Sequence, residues 1–147
     1  MSIFDSFSIN ASGLTAERYR MDVISENIAN IDTTRTEDGT PYRRKLVTFE
    51  EKGKNGTFAS ALAKAKGDYI GGGVRVGKTY EDTETEMKMV YDPSHPDADE
   101  NGYVRYPNVN TVTEMTNLID ASRAYEANTT AFNASKSMIQ AALKIGQ

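Results

Sequence analysis

The 147-residue chain has no cysteine and only one histidine. Without thiols, disulfides, thiolate catalysis and cysteine-ligated metal sites are excluded. His95 has neither a second histidine nor a cysteine with which to build a zinc or catalytic constellation. The stiff Asp92, Pro93, Pro96 surroundings place it in a surface turn. No stretch approaches the ~20 apolar residues of a membrane-spanning helix. The opening MSIFDSFSINASG lacks the basic start and apolar run of a secretory signal. Export, if it occurs, is expected to use a route that cleaves no such signal. The net charge of −4 is spread along the chain, so the concentrated basic surface that nucleic-acid binding needs is missing. Arg43 to Lys45 is the longest basic run and reads as a solvated face. Carboxylates are scattered without the spacing of acid–base pairs, and no Ser/His/Asp arrangement stands out. The chain is therefore read as a non-enzyme that takes no cofactor and no metal.

Apolar periodicity is present, and it lies at the two ends. Near the N-terminus Phe7, Leu14, Met21 and Ile28 recur every seven residues, and Ile24 widens that line into a stripe. Heptad spacing of this kind is a helix seam. Ser12 or Thr15 could cap its start, with Gly13 weakening whatever precedes Leu14. Between Pro107 and Gly146 the chain has no glycine or proline, and Leu118, Tyr125, Phe132 and Ile139 form a second heptad line. A helix of that length exceeds the ~10–14 residues usual in globular proteins. Small residues such as Ala121, Ala124 and Ser135 beside the line would allow close helix approach. Asn128 and Thr129 suit a crowded multi-helix assembly better than an isolated pair.

The expected fold is mainly α with a small β-rich middle, in three regions: 1–31, 32–107 and 108–147. The middle holds 9 of the 11 glycines and all four prolines, which is turn chemistry. Strand-like alternation occurs at Tyr42–Phe49, Val74–Tyr80, Met87–Tyr91 and Tyr103–Tyr106. Asp99 to Gly102 could turn a hairpin between the last two. Residues 50–72 read as a flexible excursion with a helical turn around Ala59–Lys66.

Two formal motif matches fail on context. Gly72, then Gly77-Lys78-Thr79 four residues later, satisfies the phosphate-loop pattern. That chemistry needs a buried strand before the loop and a helix after it. Here Glu81, Asp82, Glu84 and Glu86 follow and would repel phosphate. Asp97-x-Asp99-x-Asn101-Gly102 opens like a calcium loop, but its twelfth position is Asn108 rather than a bidentate glutamate, and Pro107 interrupts the outgoing helix. A calcium-responsive binding module using Asp97–Asn101 is the second functional reading.

Three stretches resemble one family. SENIANIDTT, Ser25 to Thr34, resembles the N-terminal signature of the flagellar axial proteins, the rod, hook and hook-associated subunits. Its core is Asn27-x-Ala29-Asn30 followed by Thr33 or Thr34. Such asparagines can close a helix C-terminus and pair with exposed backbone. Residues 109–146 are similar to the family's C-terminal helix. Between them Tyr91, Asp92, Pro93, His95, Pro96, Asp97, Asn101, Gly102, Tyr103, Tyr106, Pro107 and Asn108 resemble the signature region of the proximal-rod subunits, and the short chain agrees.

The resemblance implies terminal helices paired as a coiled coil, lining a self-assembling tube with a β-rich outer part. The implied partners are other copies of the chain and other proximal- and distal-rod proteins. An adaptor of the membrane ring and export gate, at the rod base, and the flagellar type III export apparatus complete them. The implied location is the basal body, on the periplasmic side of the inner membrane. The two apolar lines would be assembly seams, and Asn27, Asn30 and Thr33 would fix the junction between helix and middle.

Overall fold

A computed structural model describes residues 3–53, 62, 65, 66 and 71–145. The elements run α1 (Ile3–Ala29), β1 (Lys45–Glu51), β2 (Val74–Glu81), β3 (Lys88–Tyr91), β4 (Tyr103–Tyr106) and α2 (Thr111–Ile145). Two long helices thus flank a strand region. At ~1.5 Å per residue they are about 40 and 52 Å long.

Ser12 and Thr15 do not cap α1, because the helix begins nine residues earlier than Ser12 and runs through Gly13. Their hydroxyls bond back inside the helix, Ser12 to the Ile9 carbonyl at 2.6 Å and Thr15 to that of Ala11 at 3.0 Å. The same device absorbs the polar residues of α2. Asn128 donates to the Ala124 carbonyl, Thr129 to Tyr125 and Ser135 to Ala131. Each side chain thereby satisfies itself locally and leaves the helix face smooth. Asn110 caps α2, its side-chain oxygen accepting from the Val112 and Thr113 amides at 3.0 and 3.1 Å.

The strands form two two-stranded sheets, β1 with β2 and β3 with β4. Beyond the ends of the first ribbon, the Lys52 amide donates to the Gly73 carbonyl and the Asp82 amide to that of Arg44, both at 2.8 Å, so it runs antiparallel. β3 and β4 are antiparallel with Val90 opposite Val104 and Tyr91 opposite Tyr103. Asp99 to Gly102 does form a turn, with the Gly102 amide on the Asp99 carbonyl and Gly102 at φ +80°. It is one part of a longer connection, since β3 ends at Tyr91. The first strand sits three residues later than alternation suggests, because Tyr42 is drawn off to α1 instead. The helical turn read at Ala59–Lys66 lies mostly outside the described residues.

The chain divides into two compact units. The first joins Met1–Tyr19, Thr48–Gly77 and Ala121–Gln147. In it Phe7 meets Phe132 edge-to-face, with ring centroids 4.8 Å apart, and Ala16 and Ala121 are buried. Gly13 lets the two helices close on each other, since a Cβ there would lie 2.9 Å from Oδ1 of Asn128. The second unit joins Arg20–Val47 and Lys78–Asp120. Its core holds Val23, Ile24, Tyr42 and Val104. Each unit therefore draws on both helices and on the middle.

Candidate functional site

A buried polar junction occupies the second unit. Asn27 and Glu114 are each only 1% exposed. The Asn27 amide sits in the last turns of α1 and treats Lys45 as a neighbouring strand would. Its Oδ1 accepts from the Lys45 N–H at 2.8 Å, and its Nδ2 donates to the Lys45 carbonyl at 2.9 Å. Oδ1 also accepts from the Tyr42 hydroxyl at 2.9 Å, and Nδ2 reaches Oε2 of Glu114 at 3.2 Å. All four hydrogen-bonding capacities of the amide are used.

Glu114, in the first turn of α2, holds Arg44 with its other oxygen, at 2.8 Å from Nε and 2.6 Å from Nη2. Asn108 repeats the backbone mimicry of Asn27. Its Oδ1 accepts from the Arg44 N–H at 2.9 Å, and its Nδ2 donates to the carbonyls of Asp82 and Thr85. Asp82 closes the ring of contacts. It accepts from the amides of Glu84 and Thr85 and from the Thr85 hydroxyl, and lies 3.8 Å from Arg44. Those Thr85 hydrogen bonds hold the Asp82 carboxyl below its ordinary range, with Arg44 adding to them. The junction cross-links the end of α1, the start of β1, the end of β2 and the start of α2.

Burial pushes the Tyr42 phenol up to about 12, and the charges of Glu26, Glu81 and Glu114 act in the same direction. A folded-state value above the ordinary 10 means that this group's contribution to stability is intact below pH 10 and is lost as pH rises through about 12. Absorbance at 295 nm should therefore show one late phenolate step that Tyr42→Phe removes. A titration unchanged by that substitution would contradict the burial.

The motif residues fall in three places. Asn27 is in the junction. Asn30 closes α1, donating to the Glu26 carbonyl at 2.9 Å and accepting from the Thr33 hydroxyl at 3.2 Å. Ala29 is the last helical residue. Tyr91 through Tyr106 form the second hairpin and its connection. Asp92 takes the Ser94 amide and hydroxyl, which lower its carboxyl. His95 accepts from the Asp97 amide and meets Tyr106 edge-to-face. Pro107 and Asn108 are buried. Of the seam residues, Ile24 is buried, while Phe7, Leu14, Met21, Ile28, Leu118, Tyr125, Phe132 and Ile139 are half-buried.

Sequence reasoning missed Arg44, Asp82 and Glu114. Arg44 does not lie on a solvated face, because its guanidinium is bonded to Glu114 and only 20% exposed. It also missed Val112 and Ile119, which with Met115 form an outward stripe on α2 and are 75% and 54% exposed, against 53% for Met115. Their three- and four-residue spacing was the available signal.

Neither motif match gains support. Gly77, Lys78 and Thr79 lie inside β2 with no helix following. Asp97 accepts from the Thr34 hydroxyl at 2.8 Å, and Asp99 from the amides of Asn101 and Tyr103 at 2.9 Å. Among the described residues no group of three acidic, histidine or cysteine side chains is placed to hold a metal ion. No described helix is long and apolar enough to cross a membrane.

Residues 7–35 match the family of flagella basal body rod proteins, and residues 100–145 match the C-terminal family of the flagellar basal body rod FlgEFG proteins. Two such matched ends, on two long helices joined by a β region, define a flagellar basal-body rod protein. The chain is 46% identical to the flagellar basal-body rod protein FlgC of Bacillus subtilis, with all of both chains covered. It is 48% identical to that of Borreliella burgdorferi, over all of this chain and 99% of the relative. The Escherichia coli O6:H1 protein is 39% identical with both chains fully covered. The chain belongs to the FlgC family. It is a structural rod subunit of the flagellar basal body, and its relatives are named as rod proteins rather than enzymes.

Proposed function

We propose that this rod subunit assembles through its terminal helices, paired as a coiled coil. Phe7, Leu14, Met21, Ile24 and Ile28 form one seam, and Leu118, Tyr125, Phe132 and Ile139 the other. The observation that carries this reading is that eight of these nine side chains are only half-buried within a single chain. Neighbouring subunits would cover the remainder, so assembly would stabilise the helices by mass action. The outward stripe of Val112, Met115 and Ile119 adds apolar surface of the kind that interfaces use.

The regions 1–31, 32–107 and 108–147 then act as inner helix, outer β part and inner helix of the tube. The partners are further copies, other proximal- and distal-rod proteins and the adaptor at the rod base. The subunit passes unfolded through the type III export apparatus and assembles on the periplasmic side of the inner membrane. Asn27, Asn30 and Thr33 hold the junction between helix and middle.

Tyr125→Asp puts a charge on the α2 seam at a half-buried position, where desolvating it is costly. The variant should accumulate to normal levels yet leave cells non-motile and basal bodies without a completed rod. Immunoblots, swimming assays and electron microscopy of basal bodies read this out. Normal motility would remove Tyr125 from the seam.

A further inference from the structure

Below the second hairpin lies a cleft of about 480 Å³ that the rod reading does not use. That size falls within the ~300–1,000 Å³ of small-ligand sites. One wall is the loop after α1, tied on itself by the Thr36 amide and hydroxyl on the Thr40 carbonyl and the Gly39 amide on the Thr36 carbonyl. The other wall is the connection between β3 and β4, held by the Asp92 amide on the Gly102 carbonyl and the Asp99 amide on the Tyr103 carbonyl. Across the floor the Thr34 hydroxyl donates to Asp97 at 2.8 Å. Both walls are thus internally bonded, and the cleft is preformed.

Its lining is charge-balanced. Arg35 and Arg105 face the space together with Asp97 and Asp99. Arg35 lies 3.6 Å from Asp97 and is 70% exposed. Asp99 uses one oxygen on the Asn101 and Tyr103 amides, leaving the second outside those bonds. Tyr103 supplies an aromatic wall, and Tyr91 braces it edge-to-face at 5.3 Å. Gly102 permits that bracing, since a Cβ there would come within 3.0 Å of the Tyr91 ring.

We propose that this cleft binds a neutral oligosaccharide. An anion would meet the carboxylates, and a cation the guanidinium groups. Sugar hydroxyls both donate and accept, so they can serve arginine and aspartate at once. The apolar C–H face of a pyranose fits against an aromatic ring, which is apolar with a polar tip. The site is independent of the seams and stands or falls separately from the coiled-coil reading.

The test is a titration of the full-length protein with chitotriose and with maltotriose, followed by ¹H–¹⁵N amide shifts. Saturable shifts confined to the cleft are expected with at least one of the two sugars. Loss of one charge-assisted hydrogen bond in Arg105→Gln should raise Kd by about tenfold. Tyr103→Ala should do the same, and Arg105→Gln keeps the test valid should Tyr103→Ala disturb the hairpin. Met89→Ala, on the same exposed hairpin face but outside the cleft lining, should leave Kd unchanged. Silence toward both sugars, or shifts insensitive to Arg105→Gln, would overturn the proposal. So would capture of another rod subunit by a photo-crosslinker at position 105 in intact basal bodies, since the cleft would then be a protein contact.

Discussion

Glu114→Ala should destabilise the protein by about 3–5 kcal/mol, the range for breaking a buried ion pair from one side. Removing the carboxylate leaves the Arg44 guanidinium with only Asp82, at 3.8 Å, in a site where its side chain is 20% exposed. It also takes from Asn27 the acceptor of its second amide hydrogen. For a chain of this size such a loss lowers Tm by on the order of 10 °C, readable by calorimetry or guanidinium titration. Glu114→Gln keeps an acceptor for Arg44 and should lose much less. Replacing Arg44 and Glu114 together by Met and Leu should recover part of that loss, because no guanidinium is left without its carboxylate, while Asn27 still lacks its acceptor and Asp82 its cation. If Glu114→Ala alone were neutral, the junction would not hold α1, β1 and α2 together.

How far these elements could be read beforehand depends on whether the signal is local. Heptad spacing is local, so both helices were legible, and the Phe7–Phe132 contact joins a residue of one heptad line to a residue of the other. The hairpin strand Tyr103–Tyr106 was legible for the same reason. The beginning of α1 was not, because Gly13 suggests a weak start until Asn128 is known to lie against it. The junction was illegible for a different reason. Arg44 and Glu114 are 70 residues apart, and either alone reads as a solvated charge. Burial of a polar side chain depends on a partner that only the tertiary fold supplies. Asn27 and Asn108 share this property. Motif resemblance marks both, yet their work as stand-ins for backbone is visible only with Lys45, Arg44 and Asp82 in place. Val112 and Ile119 were hidden because they lie off the stronger heptad line through Leu118 and Tyr125.

Gly73→Ala is expected to destabilise the first unit by about 2–4 kcal/mol. Two effects add. Gly73 has φ +103°, where an L residue carries about 1–3 kcal/mol of backbone strain. Its Cβ would also lie 2.2 Å from Oγ of Ser12 and 3.3 Å from Cα of Ile9. Ser12 would have to turn away. Its hydroxyl donates to the Ile9 carbonyl at 2.6 Å and accepts from the Val74 N–H at 3.1 Å. The displaced hydroxyl leaves that N–H without its acceptor, at about 1–3 kcal/mol for a buried group and less for a part-buried one. A double-mutant cycle separates the two effects. In a Ser12→Ala background the clash with Oγ is gone, so Gly73→Ala should cost the backbone strain plus only the lesser crowding against Cβ of residue 12 at 3.2 Å and Cα of Ile9 at 3.3 Å. Equal costs in both backgrounds would assign the whole effect to φ. Under the proposed seam the position would bear on assembly, because Gly73 leads into β2 where that strand meets α1 between Phe7 and Leu14. Loosening this contact should lower incorporation of Gly73→Ala into basal bodies. It should do so even at temperatures where the second unit, held by Glu114 and Asn27, stays folded.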